Sequence, residues 1–243
     1  MKILALVAAF VCAPVASHAG TFIPPKGCTA YLTVQMKSCE VSHYWTCGAD
    51  PEGNHWIMSM DDNGPTFLQY LDREFRWLQS YPQGVDISRE LITKESDANS
   101  ITELLETRRD DFDFRQSVKQ FGKQIAVEHI TGFDRLNGTR VTIDGEPLLV
   151  TEFEIFVQSD NGSAPAHTTG NQFVSERFRL FFQGRETETA GGETFHYDHT
   201  PVLFIEPGEA GFLADRPEFG CDDMMSGLDQ PLAIDLENQD DQI

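Results

Sequence analysis

The chain has 243 residues, with 39 acidic side chains against 18 Lys and Arg, a formal net charge of −21 and a pI near 4.5. That balance argues against nucleic acid and anionic membrane surfaces as partners, since both call for basic patches. With 40% hydrophobic residues and 18 Phe, there is material for a substantial core in one domain or a closely joined pair.

The opening MKILALVAAFVCAPVASHAG reads as a signal peptide of residues 1–19. Lys2 supplies the positive start, Ile3 to Ala13 the apolar stretch, and Ser17-His18-Ala19 the small-residue cleavage site. A bilayer span needs about 20 apolar residues, which this stretch does not reach and no later one approaches. A soluble mature chain of about 224 residues, periplasmic or secreted, is therefore expected, with no membrane span. Cys12 leaves with the signal, and no cysteine stands at the cleavage point to carry a lipid anchor.

Four cysteines remain, Cys28, Cys39, Cys47 and Cys221, and an even count in an exported chain reads as disulfides. A hairpin centred on Lys37-Ser38 would set Cys28 opposite Cys47 and leave Cys39 for Cys221. A later turn would instead pair Cys39 with Cys47 and Cys28 with Cys221. Either way, one bridge ties the start of the domain to its end. Zinc would want closer, CxxC-type spacing and paired histidines.

In chain order, Ala30, Leu32, Val34 and Met36 alternate with Tyr31, Thr33 and Gln35, the period of a half-buried strand. Val41, His43 and Trp45 continue the pattern. GADPEGN is a turn, HWIMSM a strand with Trp56, Met58 and Met60 on one side, and DDNGP another break. TFLQYLDREFRWLQSYP has helical spacing at Phe67, Leu71, Phe75 and Leu78, but its aromatic content within a run of strands favours a β-meander. Ser100-Ile-Thr-Glu103 is a capping box, which predicts a helix with Ile101, Leu104 and Leu105 on its apolar side. Asp144-Gly145 predicts a type I′ hairpin turn, with Phe153, Ile155 and Val157 facing one way. SDNGSAPAHTTGN reads as a loop, FVSERFRLFFQG as one strand and PVLFIEPGEAGF as a short buried strand ending in a turn. From 222 to 243 the chain has acid but no Lys or Arg, and reads as a disordered tail after a single β-rich domain of residues 20–221. The expected class is mainly β or α+β: a curved antiparallel sheet, a half-barrel, with a few short helices.

The chemistry-bearing motifs are sparse. There is no nucleophile elbow, P-loop, dinucleotide fingerprint or HExxH, and RRDDFDF lacks the EF-hand spacing. The best metal-like group is His196, Asp198 and His199, since an imidazole and a carboxylate two apart share a strand face. The bland alternative is a polar approach to the strand at Pro201. His43, Trp45, His55 and Trp56 suggest a cross-strand ring cluster. Asn137 and Asn161 begin glycosylation-type triplets that mark exposed turns. No cofactor is expected. Phe156 and Phe181 stand where solvent should be, so either helix or loop covers the second face or the sheet curves around an apolar cavity.

GCTAYLTVQMKSC...VSHYWTC, FDRLNGTRVTIDGEPLLVTEF and PVLFIEPGEAGF resemble an exported bacterial family of unknown function. REFRWLQSYP followed by SITELLETRRDDFDF is similar in order to the periplasmic lipoprotein-carrier (LolA-like) family. That resemblance implies a curved sheet closing over an apolar cavity for acyl chains, with Phe75, Arg76 and Trp77 on the carriers' Arg-containing strand motif. Four cysteines, the segment 165–221 and the acidic tail depart from the carriers' pattern. The expectation is a non-catalytic exported protein binding a lipid-like or other hydrophobic ligand, or an envelope protein, in the concavity. The alternative is metal-dependent chemistry at His196, Asp198 and His199.

Overall fold

The computed structural model describes residues 20–95 and 97–221; the expected signal peptide and acidic tail lie outside the described residues. β1 (Cys28–Met36) and β2 (Glu40–Cys47) form the first hairpin about Lys37-Ser38-Cys39. Each strand then pairs antiparallel with the one before it: β3 (His55–Asp61), β4 (Gly64–Leu71), β5 (Trp77–Pro82), β6 (Ile87–Leu91), β7 (Arg109–Gln120) and β8 (Lys123–Ile143). The meander continues through β9 (Glu146–Ser159), β10 (Ala166–Ser175), β11 (Leu180–Ala190) and β12 (Glu193–Asp198). β13 (Pro201–Ile205) returns to the other edge and pairs with β1, giving one open sheet of 13 antiparallel strands. The aromatic stretch 66–82 is a meander, as its composition suggested.

A sheet this wide has far more apolar surface than one helix can cover, so its halves fold onto each other. Leu32, Val34, Tyr44, Ile57 and Leu71 of β1–β4 pack with Leu148, Val150, Phe173, Leu180 and Phe182 of β9–β11. Phe182 sets its edge against both Tyr44 and Phe204, at centroid distances of 5.9 and 4.9 Å. Each fully buried Leu or Phe here is worth about 1.5–3 kcal/mol of transfer free energy. The opposite sides of the same β9–β11 segments carry Leu149, Val174 and Phe181, which pack on Ile101 and Leu104 of α1 (Ile101–Thr107). Phe181, expected to meet solvent or cavity, is therefore covered in large part by the helix. Phe156 stays exposed, stacked on His167 at 4.2 Å.

The helix start is half of the expected capping box. Ser100 Oγ accepts from the Glu103 amide at 3.1 Å, but the Ser100 amide donates to Asp110 Oδ2 at 2.7 Å rather than to Glu103. Glu74, in the β4–β5 turn, accepts from the Thr102 amide, so the cap is built from tertiary partners as well as local ones.

Three sequence expectations need correction. FVSERFRLFFQG is not one strand: the chain turns over 176–179, where the Phe178 amide donates to Ser175 Oγ at 3.0 Å and Arg179 takes a φ of 55°. Val174 and Phe182 consequently face different clusters. The stretch 166–171 is strand rather than loop, in register with β9 from Val157 to Glu152. Thr33 and Gln35, read as the solvent side of β1, have no exposed surface at all. A strap of residues 206–221 lies over them. Gln35 donates to the Arg216 carbonyl and accepts from the Glu218 amide, and Thr33 Oγ1 accepts from the Leu213 amide. These two buried polar side chains thus receive the partners their burial requires.

Cys28 bonds Cys47 directly across the hairpin, and Cys39 bonds Cys221 at the end of the strap, the first of the two pairings considered. Gly220 is the strap's closest approach: at φ 76°, a Cβ there would lie 1.7 Å from the Lys37 carbonyl. In the chain-entropy account, a bridge spanning 182 residues stabilises by about 5 kcal/mol and one spanning 19 by about 3 kcal/mol. Replacing Cys39 and Cys221 together by Ser is therefore expected to lower the denaturant midpoint more than replacing Cys28 and Cys47. Equal losses in guanidinium unfolding would contradict the strap's role.

Candidate functional site

Where the two halves of the sheet do not touch, side chains of one parity line open space. Gln69 pairs with Ser80, Ser80 with Arg89, Arg89 with Val118 and Val118 with Ala126, all pointing the same way. Glu128 and Ile130 of β8 and Val157 and Ser159 of β9 complete this wall. The space they enclose is about 480 Å³. A second cavity of about 300 Å³ lies towards β2, bounded by Glu40, Ser42, Tyr44, Ser59 and Phe181. Phe67, Gln69, Trp77 and Gln183 line both, so the two are neighbours along one interior. Their sizes fall within the range of about 300–1,000 Å³ usual for small-molecule sites.

The walls are amphipathic. Trp77 meets Phe114 edge-on at 5.8 Å, and its carbonyl accepts from Gln116 Nε2. Arg89 is spent within the wall: its Nε and Nη2 donate to the two carboxylate oxygens of Glu128 at 2.8 and 3.3 Å. At the smaller cavity the charge is acidic. Burial pushes the Glu186 carboxyl up to about 7, helped by the neighbouring Glu188 and Glu40 carboxylates. An anionic head group is disfavoured at that end, whereas a neutral one meets no such penalty.

A second buried acidic group sits beneath α1. Asp110 and Asp134 are directly opposed between β7 and β8 and are 1% and 4% exposed. Burial raises both, Asp134 to about 7 with the Asp110 charge adding to it, and Asp110 to about 6 with Glu103, Asp97 and Asp111 adding. The two lie in phase with Phe112, Phe114 and Ile130 on the inner face, and neither lines the cavities. Gly132, in the same inward row, is obligatory, since a Cβ would meet the Glu154 carbonyl at 2.0 Å and the Phe112 ring at 2.8 Å.

The residues singled out in the sequence are scattered. Phe75, at φ 66° in the β4–β5 turn, lines the smaller cavity and packs on Phe181 at 5.0 Å; Trp77 lines both cavities. Arg76 lies between them on the outside, 3.7 Å from Asp72. His199 lines the smaller cavity and contacts Ser38 Oγ through Nδ1 at 2.8 Å. His196 is exposed on β12 beside Thr187, at 3.0 Å. Burial opposes ionisation of Asp198, but hydrogen bonds from Thr200 and Arg185 and the Lys37 charge hold it below the usual carboxylate range. These three side chains do not converge. Among the described residues, the one grouping at ligand distance is Cys39, Asp62 and Cys221, whose two sulfurs are already bonded to each other. Of the expected four-ring cluster, His43, Trp45 and Trp56 stack together, with Phe22 on His43 at 4.5 Å, Trp45 on Trp56 at 6.5 Å and Trp56 on Tyr70 at 4.4 Å. His55, one residue out of phase on β3, packs on Phe75 at 6.0 Å instead.

Sequence reasoning missed Gln69, Arg89, Gln116, Glu128 and the Asp110–Asp134 pair. The available signal was phase, because each polar residue recurs at the parity of an apolar one on its strand: Gln69 with Phe67, Arg89 with Ile87, Asp110 and Gln116 with Phe114, and Glu128 and Asp134 with Ile130. Comparison with protein-family models, with curated proteins and with solved structures finds no match. The two disulfides indicate an oxidising, extracytoplasmic environment. No helix among the described residues is long and apolar enough to cross a membrane.

A carboxyl whose folded pKa is raised contributes its stability fully below the ordinary carboxylate pKa and loses it as pH rises through the folded value. With Asp110 near 6 and Asp134 near 7, thermal stability is expected to decline from mildly acidic to neutral pH. Asp134→Asn is expected to flatten that decline. A melting temperature whose pH profile is the same in both proteins would refute the assignment.

Proposed function

We propose that the protein is an exported, non-catalytic binding protein, periplasmic or secreted, that holds an apolar or lipid-like ligand in the concavity of its curved sheet. The observation that carries this reading is the pair of adjoining cavities sharing Phe67, Gln69, Trp77 and Gln183. Their walls supply ring and aliphatic surface for a chain, with Gln and Ser groups spaced along it. The acidic charge around Glu40 and Glu186 favours a ligand whose polar end is uncharged. The resemblance of the FRW segment to the lipoprotein carriers agrees with this reading, since Phe75 and Trp77 of that segment line the space. Transfer of the ligand to an envelope partner is the corresponding biological role. Metal chemistry at His196, Asp198 and His199 is not carried further, because Asp198 is already engaged by Arg185, Lys37 and Thr200.

Protein purified from its native compartment is expected to show a bound lipid-like mass under gentle native mass spectrometry, and to bind a fluorescent monoacylglycerol. Gln69→Trp, which fills the waist between the cavities, is expected to weaken that binding by about tenfold or more through lost chain burial. Absence of both the co-purified mass and probe binding in the unaltered protein would remove the proposal.

A further inference from the structure

Three of the hairpins close through two-residue turns with positive φ at both positions. The β8–β9 turn uses Asp144-Gly145 (φ 48° and 80°) and the β11–β12 turn Gly191-Gly192 (61° and 89°), the residue types this geometry favours. The β7–β8 turn has the same geometry but places Phe121 at φ 49° before Gly122 at 72°. A bulky residue is disfavoured there, and this ring is 73% exposed, so neither the turn nor the core accounts for it.

Its surroundings are also unlike the rest of the chain. From Phe114 to Val127 there are three cations, Arg115, Lys119 and Lys123, and no carboxylate, in a chain of net charge −21. Lys119 pairs with Glu90, whereas Lys123 is exposed and makes no ion pair among the described residues. Ile125 on β8 is 48% exposed. Ile87 pairs with Gln120, which brings the β5–β6 turn alongside, with Val85 58% exposed and Asp86 as its carboxylate. The base of the hairpin, Val118 and Ala126, lines the larger cavity.

From this we infer that the β7–β8 hairpin tip is a membrane-contacting finger, with Phe121, Val85 and Ile125 entering the interface and Lys123 facing lipid phosphate, beside the cavity from which ligand is exchanged. The inference rests on the lipid-like ligand proposed above. Net charge does not forbid it, because charges farther from the surface than about 8 Å are screened at physiological salt. Apolar side chains with flanking Lys are the pattern of interfacial binding.

The test is flotation of the full exported chain with vesicles of phosphatidylethanolamine and phosphatidylglycerol. The unaltered protein is expected to float. Phe121→Asn, which suits the turn's φ, should reduce the bound fraction by about tenfold through loss of one buried ring. Lys123→Glu should also reduce it, while Phe195→Asn, which removes an exposed ring on β12, should leave it unchanged. The finger is overturned if the unaltered protein stays in solution, if Phe121→Asn floats equally, or if Phe121 instead proves to mediate self-association in size-exclusion chromatography without flotation. Binding of the fluorescent monoacylglycerol in vesicle-free buffer is measured in parallel. Its presence without flotation removes the finger alone, and its absence removes the ligand reading beneath it.

Discussion

The contact between the β1–β4 half of the sheet and the β9–β11 half sets both the core and the cavities. Thirteen antiparallel strands present an apolar face that water must not see, and the described residues include only one short helix to cover it. The sheet therefore covers itself. Around Tyr44, Phe182 and Phe204 the halves touch and form the main core. Elsewhere side chains of β4–β9 line space instead of neighbours. On β9 the cavity row of Val157 and Ser159 is in phase with Leu149 under α1, not with Leu148 and Val150 of the main core.

The rolled sheet leaves its outer side at β1 and β2 to be sealed separately. The side chains of Gln35 and Thr33 on the outer face of β1 hold the strap 206–221, and Cys39–Cys221 fixes the strap to the first hairpin. The N-terminal segment adds to the same seal, with Phe22 on His43 and its amide donating to the Leu213 carbonyl at 2.8 Å. Both chain ends of the described region are thus bound to β1–β2, which carry the fully buried Leu32, Val34 and Val41.

Much of this was legible in the sequence. Period-two alternation located β1 to β3, Asp144-Gly145 located a hairpin, Ser100 located the helix, and cysteine parity with a hairpin at Lys37-Ser38 contained the observed pairing. The failures have physical causes. Phe178 and Arg179 continue an apolar–polar alternation through a turn that Ser175 stabilises, so local pattern alone could not show the break. Gln35 reads as solvent-facing because its partner is 181 residues away. The inward polar residues share a strand parity with apolar neighbours, but the pairing of Arg89 with Glu128 and of Asp110 with Asp134 becomes recognisable only once the strands are in register. His196 and Asp198 share a face of β12 but are held by different neighbours, Thr187 and Arg185, and His199 lies past the end of the strand against Ser38.

The proposed ligand site requires that the space beside Trp77 be open to a lipid-like chain. Brominated monoacylglycerol quenches indole fluorescence at contact, and replacing Trp45 and Trp56 by Phe leaves Trp77 as the sole reporter. Saturable quenching of Trp77 in that variant is the predicted result. Emission that is unaffected by the brominated ligand, in protein shown to retain both disulfides, would mean that the interior is closed and the sheet is no container.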